Sequence, residues 1–370
     1  MKEYEGQIFM EDGKFHPGRI YIDGGKIVSV EELPEVSLSP KEASSYIIPG
    51  LVDIHSHGCF GHDTCDASAK GLRAMIKFEE SAGTTSYCPT TMTFNEEILT
   101  KVCKNIADVA KTEPAIKGIY LEGPFISREK CGAQNPEYIM KPDASMIKRL
   151  NEVSDGLVKV VAIAPETEGA MECIEELSGS FKCSIAHTTA DYDTAKAAME
   201  KGALHVTHFY NAMPAYSHRA PGVIGAAMED DTAKVELIAD GIHVHPAVVK
   251  NTFKMFGADR VILISDSMEA TGMENGKYSL GGQEVFVENR KATLKDGTIA
   301  GSASTLLDCV REAVRMGVRM EDAIISATKT PAKEIGIFSK TGSISKGKNA
   351  DLLILDKELK LKEVVLSYKC

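Results

Sequence analysis

A chain of 370 residues, 43% hydrophobic and 26% charged, is long enough to bury one large core and a smaller one beside it. Its formal charge of −11 argues against a nucleic-acid partner, although a local cationic cleft could still take a small anion. Nine cysteines without CxxC spacing, an acidic start without a secretory pattern and no apolar run of roughly 20 residues point to a protein with neither disulfides nor a membrane span, expected in the cytoplasm.

Residues 1–48 read as short strands at 7–10, 19–22 and 26–30, with the Asp23-Gly24-Gly25 turn between the last two. The next stretch, IIPGLVDIHSHG over 47–58, is the most informative in the chain. Its residues 51–54 are a short apolar run bounded by Pro-Gly and Gly, which predicts a buried strand. Side chains on a strand alternate faces, so His55 and His57 project to one side where the strand runs out. A divalent metal can use two imidazoles placed in that way.

Further along, apolar runs alternate with amphipathic segments. Strands are expected at 51–57, 84–89, 118–121, 157–164, 181–186, 204–207, 234–238 and 260–264, and helices at 96–111, 194–201, 247–256 and 305–316. Eight strand–helix repeats in about 280 residues predict an α/β fold, a (β/α)8 TIM-like barrel over 49–341. The rival, an open doubly wound sheet, usually shows a GxGxxG turn after its first strand, and residues 58–61 lack that spacing. Residues 276–299, with Gly281-Gly282 and Asp296-Gly297 turns, read as inserted β-hairpins. Residues 342–370 return to the style of the first 48, so the two ends are expected to build a small β-sandwich domain together.

Active sites of such barrels form at the C-terminal strand ends. Those ends carry His55 and His57, Glu122, His187, His208 and Asp266, and the seventh strand leads into Asp240-Gly241-Ile242-His243. The chain has only ten histidines, so four of them at strand ends is a strong coincidence. His205 lies three residues before His208, so alternation would send it to the other face, and it reads as structural. Neutral imidazoles with a carboxylate bind zinc or iron(II) and leave a position for water, whose pKa then falls towards about 7. Asp266 ends the most apolar strand. Water-poor surroundings there would raise its pKa and suit it to take a proton from that water and return it to a leaving group. A ligand role for Asp266 fits the same position.

Several segments together resemble the amidohydrolase superfamily and, within it, the N-acetylglucosamine-6-phosphate deacetylase family. They are PGLVDIHSHG (49–58), LEGPF (121–125), AHT (186–188), THFYNAM (207–213), RAPG (219–222), ADGIH (239–243), Ser265-Asp266 and IAGS (299–302). HxH alone indicates the superfamily; LEGPF and HFYNAM are far more specific. The resemblance implies hydrolysis of N-acetyl-D-glucosamine 6-phosphate to acetate and D-glucosamine 6-phosphate by a homodimer. It implies that Glu122, His187 and His208 hold the principal divalent ion, zinc or iron, that His55 and His57 offer a place for a second, and that Asp266 transfers the proton. Glu122 then takes the bridging or ligating role that a carboxylated lysine has in other relatives. Substrate contacts implied in the same way are Asn211, Ala212, His243 and Arg219 at the phosphate, Arg219 from the neighbouring subunit, with Ala133, Gln134, Asp240, Ile299, Ala300 and Gly301 around the sugar. Gln134 stands where a histidine often contacts the sugar, which bears on glucosamine against galactosamine stereochemistry. Guanidinium and imidazole are apt donors to a phosphate dianion. The competing readings are an N-acetylgalactosamine-6-phosphate deacetylase, a cyclic-amide hydrolase of the same superfamily, and a non-catalytic scaffold. The last would usually have lost some metal residues, and none is missing.

Overall fold

The computed structural model describes residues 1–34 and 37–370; residues 35 and 36 of the expected 1–48 segment lie outside that description. The apolar runs form eight parallel strands, β1 Leu51–Ser56, β2 Thr84–Thr91, β3 Ile119–Phe125, β4 Val158–Ile163, β5 Lys182–Ile185, β6 His205–Val206, β7 Lys234–Ile238 and β8 Val261–Ile264. They are hydrogen-bonded in chain order as one sheet. A parallel bridge between Ser56 and Ser267, with His57 N–H donating to the Ser267 carbonyl at 2.8 Å, joins the two edges and closes a barrel. The strands are almost wholly buried because helices cover one face and barrel side chains fill the other.

Each strand is followed by a helix: α1 Ala69–Ala82, α2 Glu96–Ala110, α3 Ala144–Val153, α4 Ala170–Leu177, α5 Tyr192–Glu200, α6 Gly222–Glu229, α7 Pro246–Phe256 and α8 Leu306–Arg315. Local capping sets where they begin. The Asn95 side chain accepts from Ile98 N–H at 3.0 Å, and Thr305 and Asp308 form a reciprocal capping box. Two further helices, α9 Met320–Ala327 and α10 Lys329–Glu334, end the barrel segment. Val52, Ile54, Tyr120, Ile238 and Ile262 cluster with Ala332 and Ile335 of the α10 region, so the barrel's floor is apolar. No helix among the described residues is long and apolar enough to cross a membrane.

Two differences from the expected strands matter for the site. β3 runs on to Phe125, past its expected end at 121. Leu121 pairs with Val161 and Phe125 with Ile163, so residues 122–124 form a bulge that re-aims Glu122. β6 is only two residues long, because the chain turns away at once through left-handed His208.

Strands from both chain ends, expected as a sandwich, are hydrogen-bonded into one six-stranded sheet. Its order is Leu361–Val365, Leu352–Leu355, Tyr46–Pro49, Lys2–Phe9, Phe15–Asp23, Lys26–Glu32. Tyr46–Pro49 leads through Gly50 straight into β1, where a Cβ would lie 2.1 Å from Thr85 Oγ1, so only glycine passes. The insertion is a three-stranded antiparallel sheet, Gly276–Leu280, Gln283–Glu288 and Lys291–Thr293. Its Val285 and Leu280 pack with Met92, Ala133, Met268 and Ala300, beside the C-terminal rim.

Candidate active site

Two groups of candidate ligand atoms meet at that rim. In the first, Glu122 Oε1 lies 3.2 Å from His187 Nε2 and 3.0 Å from His208 Nε2, and the two nitrogens are 3.1 Å apart. In the second, His55 Nε2 and His57 Nε2 are 3.3 Å apart, with Asp266 Oδ1 3.6 Å and 3.3 Å from them. Glu122 joins the groups, its Oε1 being 3.5 Å from His55 Nε2 and its Oε2 3.2 Å from His57 Nε2. All six side chains are buried.

The donor chemistry fits metal ions. His187 Nδ1 lies 2.8 Å from the Lys130 carbonyl, which can only accept, so this nitrogen carries the proton. In a neutral ring its Nε2 then turns a lone pair towards the Glu122 carboxylate, a repulsive contact unless a cation lies between. His55 repeats the pattern, with Nδ1 2.9 Å from the Glu236 carboxylate. Around a tetrahedral zinc with bonds of about 2.0–2.1 Å, neighbouring ligand atoms are about 3.3 Å apart. The observed edges of 3.0–3.2 Å in the first group are close to that figure. The protonation equilibria express the same demand for positive charge. Burial would lower the His57 pKa, yet Asp266 and Glu122 push it up to about 10. Burial would raise Glu122, yet His55, His187 and His208 hold it well below the usual carboxylate range. Asp266 corrects an expectation. Its pKa is lowered, because the facing His55 and His57 outweigh the desolvation that was expected to raise it.

Strained turns aim these groups. His187, His208 and Asp266 have φ of +44°, +27° and +46°, a region that non-glycine residues seldom occupy outside functional sites. Asp266 is held by its own N–H on the His55 carbonyl at 2.9 Å and by Ser302 N–H on its carbonyl at 2.7 Å.

A cleft of about 570 Å³ opens over the groups, a volume suited to a small metabolite. Of the expected substrate residues, Ala133, Gln134, Asn211, Ala212, His243, Ile299 and Gly301 line it, together with His57, Glu122, His187, His208 and Asp266. Ala300 and Asp240 are not at its wall. Ala300 is buried in the apolar layer below, and Asp240 accepts from His243 Nδ1–H at 2.8 Å and so orients that ring. Arg219 is exposed on a loop and is not among the residues that line the cleft. Gln134 is engaged at both ends. Its Oε1 accepts from Thr93 N–H at 2.7 Å and its Nε2 donates to Glu122 Oε2.

Three contributors escaped the reading of the sequence. Lys130 lines the cleft and its carbonyl orients His187, but it sits on a loop without strand-end spacing. Glu236 is buried in the middle of β7, and its signal was visible: one carboxylate inside the apolar run KVELI. His205 was expected on the opposite face from His208. Alternation fails over a two-residue strand that turns at once, and both residues meet Glu236, His205 through Nε2 at 2.9 Å and His208 through its backbone N–H at 3.1 Å.

A parallel (β/α)8 barrel with acid–imidazole groups at its C-terminal rim belongs to the class of barrel hydrolases. The chain belongs to the amidohydrolase family, whose profile matches residues 46–368. It is 38% identical over 372 residues to N-acetylglucosamine-6-phosphate deacetylase of Bacillus subtilis (strain 168), covering 97% of this chain and 93% of that protein. It is 32% identical over 363 residues to N-acetylgalactosamine-6-phosphate deacetylase of Escherichia coli O157:H7, covering 97% and 96%. The crystal structure of N-acetyl-D-glucosamine-6-phosphate deacetylase from Mycobacterium smegmatis superimposes with a TM-score of 0.93 at 30% identity, covering 99% of each chain. An aspartate-to-alanine variant from the same organism, in complex with N-acetyl-D-glucosamine-6-phosphate, superimposes with 0.92 at 31% identity, covering 99% and 97%.

Proposed function

We propose that this protein hydrolyses the acetamide of N-acetyl-D-glucosamine 6-phosphate, giving acetate and D-glucosamine 6-phosphate. The observation that carries the reading is the Glu122, His187 and His208 group at the base of a metabolite-sized cleft, with Asp266 beside it. Glu122, His187 and His208 would hold the principal divalent ion, zinc before iron, and His55, His57 and Asp266 would offer a second place. When bound, such an ion supplies Lewis-acid polarisation of the acetamide carbonyl and makes water acidic near neutral pH.

The remaining work belongs to the protein. Asp266 takes a proton from the attacking water as the oxygen bonds to the carbonyl carbon, then gives it to the amine nitrogen as the C–N bond breaks. The lowered Asp266 pKa keeps it ionised and ready to accept. Asn211, the Ala212 backbone, His243 and Arg219 bind the phosphate, and their binding energy orients the acetamide. Arg219, exposed and not among the residues that line its own chain's cleft, is assigned to the neighbouring subunit's site in a homodimer, as the resemblance implies. Ala133, Ile299 and Gly301 shape the sugar pocket, while Gln134 acts on it through Glu122. The nine unpaired cysteines suit a reducing cytoplasm.

The test is a deacetylation assay on the 6-phosphates of N-acetylglucosamine and N-acetylgalactosamine and on unphosphorylated N-acetylglucosamine, with a metal count on the same sample. The expected result is preference for the glucosamine phosphate and at least one transition-metal ion per chain. Equal turnover without the phosphate, or full activity in metal-free protein, would refute the proposal; preference for the galactosamine phosphate would replace the substrate.

A further inference from the structure

Below the rim, a single carboxylate touches both candidate ligand groups. Glu236 Oε2 accepts from His55 Nδ1–H at 2.9 Å and from the His208 backbone N–H at 3.1 Å, while Oε1 accepts from His205 Nε2–H at 2.9 Å. His205 Nδ1–H reaches Glu334 Oε1 at 3.2 Å, at the end of α10. Both nitrogens of His205 therefore face carboxylates, and only the doubly protonated ring satisfies both. Burial opposes that charge, but Glu236 and Glu334 push the His205 pKa up to about 9. The outcome is a continuous chain of acid, imidazolium, acid and imidazole running from the barrel's floor to the metal-ligand atoms.

We propose that Glu236 is a positioning residue that sets the His55 tautomer and the His208 backbone together, with His205 and Glu334 bracing its other oxygen. A carboxylate on His55 Nδ1 fixes the proton there and turns the Nε2 lone pair towards His57 and Asp266. The same oxygen on the His208 N–H stabilises the left-handed turn that carries His208 to Glu122. The neighbouring inward side chains of the barrel, Val52, Ile54, Ile238 and Ile262, are apolar. A buried ion network held only for stability would do no better than such residues. Its value lies in the two ligand groups that it touches. Partners behind a ligating histidine are typically worth about 10–100-fold in metal affinity.

This inference rests on the reading that the two groups hold ions, and its test does not use turnover. Zinc dissociation constants are measured for wild type and Glu236→Gln by competition with a chromophoric chelator, with folding checked by circular dichroism. A glutamine keeps the shape but cannot accept from both His205 and His55. Zinc binding about 10–100-fold weaker in folded Glu236→Gln is expected. Dissociation constants within twofold of wild type would overturn the proposal. Nitrogen-15 histidine spectra of zinc-loaded wild type provide a second measurement that needs no variant. They should show a hydrogen-bonded proton on His55 Nδ1 and none on Nε2; the opposite tautomer would also overturn it. If wild type binds zinc tightly with this tautomer yet deacetylates none of the sugar phosphates, the functional reading fails and the positioning role stands.

Discussion

Replacing Asp266 by Asn removes the proposed proton carrier while leaving its shape. The position has φ +46°, a conformation in which asparagine is comparatively common, so the backbone gains no strain. The bonds that hold it, its N–H to His55 at 2.9 Å and Ser302 N–H to its carbonyl at 2.7 Å, are main-chain and survive. Asp266 Oδ1 touches only the His55 and His57 side of the site, at 3.6 Å and 3.3 Å, so the Glu122, His187 and His208 group keeps its ion. What disappears is a base, and general acid–base catalysis is typically worth about 10²–10⁴-fold. At about 1.4 kcal/mol per decade, that is about 3–5 kcal/mol of transition-state stabilisation. Steady-state kinetics on N-acetylglucosamine 6-phosphate should therefore show kcat down by that factor with KM nearly unchanged. Elemental analysis should still find at least one ion per chain. A variant that keeps more than a tenth of the wild-type kcat with its metal intact would refute the proton-transfer role.

Glu79 is buried in α1, and desolvation, reinforced by Asp53, pushes its pKa to about 8. The folded state then binds more protons than the unfolded state between about pH 4.3 and 8, so stability falls by up to about 1.4 kcal/mol per unit as pH rises through that window. Glu79→Gln should flatten this slope in urea unfolding at pH 5 and pH 8, and a variant-to-wild-type difference independent of pH would contradict it. Gly123→Ala should cost more than the about 1–2 kcal/mol of a left-handed residue, because φ is +82° and the new Cβ would meet Thr93 Oγ1 at 2.1 Å. It should also lower metal content by shifting the bulge that carries Glu122; an unchanged Tm and metal count would show that the bulge is not needed. Arg219→Ala should raise KM for the phosphorylated sugar at least tenfold and leave the unphosphorylated one nearly unaffected, as a contact to phosphate alone requires. Co-expressing Arg219→Ala with Asp266→Asn should recover activity if each arginine serves the neighbouring cleft, since a mixed dimer then contains one intact site. Mixed dimers that, at substrate concentrations below the wild-type KM, turn over no faster than the parents would place Arg219 outside the partner's site.

Much of the architecture could be read from local pattern. Strand periodicity and apolar run length act over a few residues, so eight strand–helix units were foreseeable. So was the gathering of His55, His57, Glu122, His187, His208 and Asp266 in one place, because the mouth of a parallel barrel is where strand ends collect, and all six stand at such ends. Other features depend on contacts between residues far apart in the chain. The β3 bulge arises from pairing with β4, the lowered Asp266 pKa from facing imidazoles, and the shared carboxylate of Glu236 from His55 on β1, His205 on β6 and His208 in the turn that follows it. His205 illustrates the divide. Alternation along a strand assigned it to the wrong side because that rule needs a strand long enough to alternate, and the length of β6 is decided by its neighbours and by the turn at His208. Local chemistry chose which residues stand at the rim, whereas burial and long-range electrostatics, acting between segments from 28 to 181 residues apart, set their charge, direction and partners.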